Sequence, residues 1–229
     1  MKLGIMQPYF FPYIGYFQLM NAVDKYVIYN DVNYIKGGWI NRNRILLNGN
    51  DFLLNIQLKG ASPHKKINEI SINDNRTSIL KTITQAYRKA PYYDNTYPLL
   101  EEIINYKTDN LSDFLANSLK SLASYLNFNT EIILSSEIEK NNELKGQNKV
   151  LSICNILKAS EYYNAIGGRE LYSVEDFKDK GIDLYFLKTQ PIEYQQFDNQ
   201  FISNLSIIDV MMFNSYDGIK DLLCRFELV

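Results

Sequence analysis

The amino-acid sequence predicts an α/β fold in which helices flank a mostly parallel sheet. Residues 2–6 are an apolar run that ends before Pro8, and residues 25–31 are rich in β-branched and aromatic residues, so both are predicted strands. Residues 14–22 lie between them and carry apolar side chains at helical spacing. Strand, helix and strand within about 30 residues form a βαβ unit, which predicts a Rossmann-like parallel sheet with a right-handed crossover.

A β-hairpin is predicted over residues 44–56. Asn48 and Gly49 stand between two apolar runs, and both residues tolerate the positive φ angles of a tight turn. The hairpin therefore follows the loop that leaves the second strand.

A helical lobe is predicted at about residues 74–128. The first helix, over residues 74–90, is amphipathic and ends at Pro91. Two further helices are predicted at residues 99–106 and 112–126, because apolar side chains repeat there on one face. This lobe is expected to be an insertion within one α/β domain that covers residues 1–229.

The second half of the chain alternates again between the two element types. Strands are predicted at residues 130–134, 162–166 and 183–187. Helices are predicted at residues 149–158, 174–180 and 206–213, the last of which opens with a capping box. The polar residues 137–148 are expected to form a mobile loop.

Composition excludes several classes of protein. Hydrophobic residues make up 46% and charged residues 22% of 229 residues, which excludes intrinsic disorder. The net charge of -2 argues against a general nucleic-acid binder, which would carry a basic excess. No apolar run reaches the roughly 18 residues needed to span a bilayer, so no membrane span is expected.

The two cysteines and the first residues predict the cellular compartment. Cys154 and Cys224 have no metal-ligand spacing, so no metal site is expected, and Cys154 lies at a core position of its helix. The N-terminus does not resemble a signal peptide, because Gln7 and Pro8 interrupt its apolar stretch. A cytoplasmic protein with reduced thiols is therefore expected.

The first motif that is a candidate for function follows the first strand. Ligands of open α/β sheets bind at the carboxyl ends of strands, and Gly15 near the helix start would let a ligand approach the backbone. Candidate binding residues are Gln7, Tyr9, Tyr13 and Tyr16. The alternative is a hydrophobic turn whose aromatic rings only cover the sheet.

The second motif spans residues 30–44, after the second strand. It holds one acid, Asp31, together with basic, amide and aromatic residues. Arg can bind a phosphate with two hydrogen bonds, Lys supplies a point charge and Trp can stack on a base or a sugar. Candidate residues are Asp31, Lys36, Trp39, Arg42 and Asn43. The alternative is a solvated loop with a structural Gly-Gly turn.

Two shorter motifs complete the set of candidates. His64 is the only histidine of the chain and is the candidate general base, with Lys65 beside it to neutralise a phosphate or oxyanion. Gly167, Gly168 and Arg169 follow a predicted strand and suggest an anion contact, but the segment is too short for a P-loop. The alternatives are an inert surface histidine and an ordinary turn.

Long stretches of the chain resemble the WbqC-like protein family. The resemblance extends from residue 3 to about residue 214 and is carried by residues 6–17, 31–43, 64–69, 167–169 and 205–214. Members of this family are associated with bacterial surface-polysaccharide pathways, especially O-antigen clusters. The resemblance implies transfer of an acyl or aminoacyl group, such as glycyl, to an amino sugar.

The remaining reactants are a hypothesis that builds on this transfer. The acceptor would be a nucleotide-linked amino sugar, and the donor an acyl-CoA or a carrier-protein thioester, so that an acyl carrier protein is a candidate partner. No bound cofactor is expected. The family supplies no agreed set of catalytic residues, and the site residues above therefore depend on their position and side-chain chemistry.

A second resemblance concerns the fold. The opening strand, turn and helix are similar to those of the nucleotidyl-transferase and class I synthetase superfamily, in which a His-x-Gly-His-type motif contacts ATP. The corresponding residues are Tyr13-Ile14-Gly15-Tyr16. An ATP-dependent ligase or nucleotidyl transferase is therefore the first alternative function, and a non-catalytic sugar-nucleotide binding protein is the second.

These observations predict one cleft at the carboxyl edge of the sheet. His64 would be the base, and Asp31 would orient it or hold the acceptor ammonium. The diphosphate would be bound by Lys36, Arg42 and Arg169, while Tyr9 and Trp39 would stack on a base or sugar. All four motifs should then meet at one edge, with Asp31 within reach of His64 directly or through water.

Overall fold

A computed structural model of the chain describes residues 1–198 and 200–229. Within these residues the strands are β1 (Lys2–Met6), β2 (Lys25–Ile28), β3 (Arg42–Leu47), β4 (Asn50–Asn55), β5 (Gln57–Lys59), β6 (Ser71–Asn73), β7 (Glu131–Leu134), β8 (Glu161–Ala165), β9 (Asp183–Thr189) and β10 (Phe226–Leu228). The α-helices are α1 (Ile14–Asn21), α2 (Arg76–Tyr87), α3 (Tyr93–Ile104), α4 (Leu111–Tyr125), α5 (Gly146–Ile156), α6 (Val174–Lys178), α7 (Ile207–Phe213) and α8 (Tyr216–Leu223).

The central sheet has the strand order β10-β9-β8-β1-β2-β7. Strands β1, β2, β7, β8 and β9 are parallel, and β10 pairs antiparallel with β9 at one edge. The predicted βαβ unit is confirmed, because β1 and β2 are parallel neighbours with α1 between them in the chain. The protein is thus an α/β protein with a mostly parallel sheet.

The order of the strands reverses next to β1. From β1 the chain proceeds to β2 and β7 on one side, and α5 then returns it to β8 on the other side of β1. Such a reversal opens a crevice outside the carboxyl ends of the two central strands, where α/β proteins bind their ligands. The loops after β1 and β8 therefore border the expected position of a site.

Helices cover both faces of the sheet. Leu3 and Ile5 of β1 pack in one apolar cluster with residues of α5 and α6. Tyr26 and Ile28 of β2 belong to the other cluster, which also contains α1 and the helices α2 to α4. Because side chains of a strand alternate between faces, each of the five parallel strands contributes to both clusters.

The predicted hairpin is confirmed in its position and its turn. Strands β3 and β4 pair antiparallel, and Asn48 and Gly49 between them have φ angles of 52° and 77°. Only a few residue types adopt this conformation without strain, which is why the sequence located the turn correctly.

Several elements differ from the prediction. Helix α3 begins at Tyr93 rather than at residue 99, so Pro98 lies inside it. Proline has no backbone N–H, so Pro98 cannot donate a hydrogen bond within the helix. The burial of Thr96 and Leu100 stabilises the helix and offsets the free energy lost with that bond. The segment predicted as a loop at residues 137–148 already enters α5 at Gly146.

The C-terminal elements α8 and β10 were not predicted. The sequence contains the signal for α8, since Ile219, Leu222 and Leu223 fall on one helical face and are buried. The Nε2 of Gln18 donates to the carbonyl oxygens of Leu222 and Arg225 over 2.8 and 3.0 Å, which attaches this end of the chain to α1. No helix in the described part of the chain is long and apolar enough to cross a membrane.

Candidate functional site

The loop after β1 is held in place by hydrogen bonds from other segments. The amide of Phe10 donates to the carbonyl of Trp39 over 3.1 Å. The carbonyl of Phe11 accepts from Asn43 Nδ2 and from Ser206 Oγ, both over 2.7 Å. Phe11 has a φ angle of 41°, so the turn adopts a backbone conformation that these contacts must stabilise.

The aromatic residues of this loop divide into two groups. Phe10, Phe11 and Tyr16 are buried, and the hydroxyl of Tyr16 donates to the carbonyl of Gln7 over 3.0 Å. The prediction that Tyr16 contacts a ligand is therefore corrected, because its ring lies in the core. Tyr9 and Tyr13 are only half-buried and border a cavity.

That cavity, the Trp39 pocket, has a volume of about 270 Å³ and lies beside the carboxyl end of β1. It is lined mainly by Tyr9, Tyr13, Trp39, Asn43, Arg44 and Asn204. Four of these were predicted from the sequence, namely Tyr9, Tyr13, Trp39 and Asn43. The first two motifs are thus brought together, although β2 and a long loop separate them in the chain.

A cation lies against the tryptophan in this pocket. The guanidinium of Arg44 is 5.7 Å from the centroid of the Trp39 ring, within the range of a cation–π interaction. Its Nη1 is 3.2 Å from Asp51 Oδ2, and its Nε is buried without a partner among the described residues. The Trp39 pocket therefore combines aromatic surface with one cation that is paired with Asp51.

The tyrosine hydroxyls of the pocket are neutral, since the ordinary pKa of tyrosine is 10.0. Burial raises the pKa of Tyr9, and neighbouring Tyr13 raises it further. Burial also raises the pKa of Tyr13. At neutral pH both hydroxyls can donate a hydrogen bond to a ligand, and neither can act as a base.

Gly15 permits the close packing at the start of α1. A Cβ at this position would lie 2.4 Å from the Tyr13 ring and 2.5 Å from Thr189 Oγ1. Glycine therefore lets Tyr13 lie between α1 and the end of β9. The sequence predicted that a ligand approaches the backbone at Gly15, whereas the neighbours in the structure are the Tyr13 and Thr189 side chains.

Asp31 lies at the end of β2, where it is enclosed by positive charge. Its Oδ2 is 2.9 Å from Lys140 Nζ and 3.1 Å from Lys149 Nζ. Its Oδ1 accepts from Ser135 Oγ. Burial alone raises the pKa of Asp31, but the bonds from Ser135, Lys140 and Lys149 outweigh it and hold the pKa below its ordinary value.

The predicted direct contact between Asp31 and His64 is not formed among the described residues. The carboxylate of Asp31 is 5% exposed, and both of its oxygen atoms already accept hydrogen bonds from other side chains. His64 is exposed, and its segment pairs with the residues after β2 through the backbone, where Tyr34 N donates to Lys65 O over 2.9 Å. The imidazole makes no hydrogen bond to the described residues, and it lines neither the Trp39 pocket nor the cavity beside it.

The predicted diphosphate grip is also corrected in part. The Nε of Arg42 donates to the carbonyl of Gly38 over 3.0 Å, and its Nη2 donates to the carbonyl of Gly37. These hydrogen bonds tie Arg42 to the turn at Gly37 and Gly38, so its guanidinium stabilises the loop. Lys36, Lys65 and Arg169 are exposed and form no ion pair within residues 1–198 and 200–229.

The segment of Gly167, Gly168 and Arg169 follows β8, at the carboxyl edge of the sheet as predicted. It forms a 3₁₀ helix, Ile166–Leu171. A Cβ on Gly168 would lie 2.6 Å from Nδ2 of buried Asn164, whereas a Cβ on Gly167 would meet no atom within 4 Å.

This pair of glycines gives a matched test of packing. Gly168→Ala is expected to lower the free energy of unfolding by about 1–3 kcal/mol, since Asn164 must move to make room. Gly167→Ala should stay within about 0.5 kcal/mol of the wild type. Urea unfolding of both variants measures the difference, and equal values would show that Asn164 does not restrict this turn.

Residues 7–221 match the sequence model of the WbqC-like protein family. The chain belongs to the WbqC-like protein family. An uncharacterized protein of Mycobacterium tuberculosis, Rv1507c, is 28% identical to it over 217 residues, which cover 92% of each chain. No solved structure matches the chain.

In this WbqC-like protein, two lysines that contact the candidate residue Asp31 were not predicted from the sequence. Lys140 was placed in a mobile loop, yet its side chain is 1% exposed. Lys149 was treated only as the start of a helix, although it is buried. Neither had a signal in the sequence, because lysines at loops and helix ends are usually solvated.

Two residues of the Trp39 pocket were also missed: Arg44 was included in the second motif without a role, and Asn204 was not singled out.

The prediction that Cys154 lies at a core position of its helix is confirmed. Its side chain is buried, and burial raises the pKa of the thiol to about 12, which makes it a poor nucleophile.

Proposed function

We propose that the protein transfers an acyl or aminoacyl group to the amine of a nucleotide-linked amino sugar in surface-polysaccharide synthesis. The observation that carries the proposal is the Trp39 pocket, which joins three aromatic rings to Arg44 at the carboxyl edge of a parallel sheet. The donor would be an acyl-CoA or a carrier-protein thioester. The reaction would take place in the cytoplasm.

The shape and chemistry of the pocket support a nucleotide-linked substrate. A nucleobase or a sugar ring can stack on Trp39 or on the tyrosines, and stacking on an aromatic residue contributes about 1–3 kcal/mol per base. The guanidinium of Arg44 favours the negative charge of a phosphate. The tyrosine hydroxyls and the amide of Asn204 can donate hydrogen bonds to sugar oxygens.

The reaction requires a single acyl transfer. The neutral amine attacks the thioester carbonyl carbon, the C–N bond forms and the C–S bond breaks. The nitrogen loses a proton to a base, and the thiolate that leaves takes up a proton. His64 was predicted to be this base, but it lines neither cavity, so its role depends on the turnover of His64→Ala.

Replacing Trp39 tests the proposed substrate site. Trp39→Ala should weaken binding of a nucleotide-linked amino sugar by about 5–150-fold, which corresponds to the loss of about 1–3 kcal/mol of stacking. Phe52→Ala is the matched control, since Phe52 is 42% exposed and Trp39 is 43% exposed, and Phe52 does not line the pocket. Titration calorimetry with both variants gives the answer, and equal affinities would locate the nucleotide elsewhere.

One observation favours the alternative of an ATP-dependent ligase or nucleotidyl transferase. The strand order reverses at β1, as in sheets that bind nucleotides, and the loop after β1 borders the pocket. Tyr13 and Tyr16 stand where that superfamily has histidines, and neither can supply a positive charge. Release of pyrophosphate from ATP with a free acid and an amino sugar would support this alternative over a preformed thioester.

An assay for the amide product distinguishes a binding protein from an enzyme. Purified protein is incubated with nucleotide-linked amino sugars and acyl thioesters, and the amide product is detected by mass spectrometry. Suppose that calorimetry shows tight binding of a nucleotide-linked sugar, but no product forms from any thioester donor or from a free acid with ATP. This result would identify a non-catalytic sugar-nucleotide binding protein.

A further inference from the structure

A second cavity adjoins the Trp39 pocket and has no role in the proposal so far. This cavity, the Tyr194 cavity, has a volume of about 500 Å³ and lies at the carboxyl end of β9. Its apolar lining consists of Ile14, Ile192, Tyr194, Phe201, Leu205 and Val210. Tyr13 and Asn204 line both cavities, so the two spaces are neighbours that share these residues.

The wall of the Tyr194 cavity is fixed by a buried carboxyl group. Asp209 Oδ2 accepts from the Tyr194 hydroxyl over 2.7 Å and from Gln196 Nε2 over 2.6 Å. Gln196 also holds Ile202, whose amide donates to its Oε1 over 2.8 Å. The rings of Tyr194 and Phe201 pack edge to face with centroids 5.0 Å apart. The apolar wall is therefore attached at several points along residues 194–209.

The charged groups near the Tyr194 cavity are paired. Its one lysine among the described lining residues, Lys188, forms an ion pair with Glu227 over 2.8 Å, as Arg44 of the Trp39 pocket does with Asp51 over 3.2 Å. No carboxylate occurs among the described lining residues, and the carboxyl of Asp209 is taken up by its own hydrogen bonds. The volume lies within the range of small-molecule sites, and an apolar lining with uncharged polar groups at the rim suits a neutral ligand.

We propose that the Tyr194 cavity binds the acyl group of the donor and selects a neutral, apolar acyl group over an aminoacyl group. This inference rests on the proposed function and decides between its two kinds of donor. An ammonium group such as that of glycyl would lose water in this cavity and find no counter-charge among the described residues. The thioester carbonyl would then lie near Tyr13 and Asn204, where the amine held in the Trp39 pocket can reach it.

The test uses N-acetylcysteamine thioesters as soluble donor analogues. Calorimetry compares the hexanoyl thioester with the glycyl thioester on the 229-residue protein. We expect the hexanoyl thioester to bind at least about tenfold more tightly, since each buried methylene contributes about 0.8 kcal/mol and the ammonium is disfavoured.

Three variants locate the binding. Ser203→Trp places a large ring at the exposed mouth of the cavity and should weaken hexanoyl binding about tenfold or more. Ile156→Trp is the control, because Ile156 is 44% exposed at the end of α5 and lines neither cavity. If Ser203→Trp does not fold, Ile192→Arg introduces a charge at a half-buried lining position and should have the same effect.

Two results would overturn the inference: equal affinity for the glycyl and hexanoyl thioesters, or unchanged hexanoyl affinity in a folded cavity variant. The proposed function fails by a different result. If the wild type binds the hexanoyl thioester but no nucleotide-linked sugar, the acyl site is supported and the proposed acceptor is contradicted. If nucleotide-sugar binding depends on Trp39 while no thioester binds, only the acyl site is contradicted.

Discussion

Asp31→Asn is expected to lower the free energy of unfolding by about 3–5 kcal/mol, the effect of removing one partner from a buried ion pair. The carboxylate lies 2.9 Å from Lys140 Nζ and 3.1 Å from Lys149 Nζ. Both lysine side chains are at most 5% exposed. Without the carboxylate, two buried ammonium groups keep their desolvation cost and lose their counter-charge. Urea unfolding at neutral pH measures the change.

The control for this substitution is Asp51→Asn. Asp51 pairs with Arg44 over 3.2 Å, but the two side chains are 48% and 39% exposed. Water and side-chain entropy weaken such surface pairs, so a loss below about 1 kcal/mol is expected. Equal losses for the two variants would mean that the lysines around Asp31 are hydrated in solution.

The pH dependence of stability should follow from the same group. The folded pKa of Asp31 lies below its ordinary value of 3.8, which the unfolded chain retains. The carboxylate therefore contributes stability that is fully present above this value and is lost as the pH falls through the folded pKa. The difference between wild type and Asp31→Asn should shrink at acidic pH. A constant difference down to the acid transition would contradict the lowered pKa.

His64→Ala is expected to reduce turnover by about 10²–10⁴-fold if His64 accepts the proton of the attacking amine. Imidazole is the side chain that most often performs this role, and the chain contains a single histidine. Because His64 is exposed, its removal should change the free energy of unfolding by no more than about 0.5 kcal/mol. A loss of activity can thus be assigned to chemistry rather than to folding.

Added imidazole sharpens this test. A free imidazole can enter the exposed space left in His64→Ala and should restore part of the turnover, which a structural defect would not allow. Asn33→Ala, exposed on the paired segment, is the control and should keep the wild-type rate. Turnover of His64→Ala close to that of the wild type would exclude His64 as the base.

The sequence by itself determined the elements whose signal is local. The βαβ opening and the Asn48-Gly49 turn lie where their patterns predicted. Hydrophobic period and the φ preference of a turn act between near neighbours, so a short segment contains the whole signal. The same reasoning placed the motifs after β1, β2 and β8 at one edge of the sheet, since parallel strands end together.

The composition of the pocket was predictable only as a set of candidates. Tyr9, Tyr13 and Tyr16 have the same chemistry and stand within eight residues of each other. Packing separates them, because Tyr16 faces the core and the other two border the cavity. Likewise, Arg42 binds the carbonyls of Gly37 and Gly38, while Arg44 lies against Trp39. No local pattern in the sequence distinguishes the core tyrosine from the two pocket tyrosines, or one arginine from the other.

Only the tertiary structure decided the environment of Asp31. Lys149 is 118 residues away in the chain, and Ser135 is 104 residues away. They meet Asp31 because β7 pairs with β2, and α5 then crosses the sheet. Strand order is set by the packing of the whole sheet and its helices, and that long-range free energy has no counterpart in a short stretch of sequence. The sequence therefore identified Asp31 as a candidate, and the fold alone chose its partners.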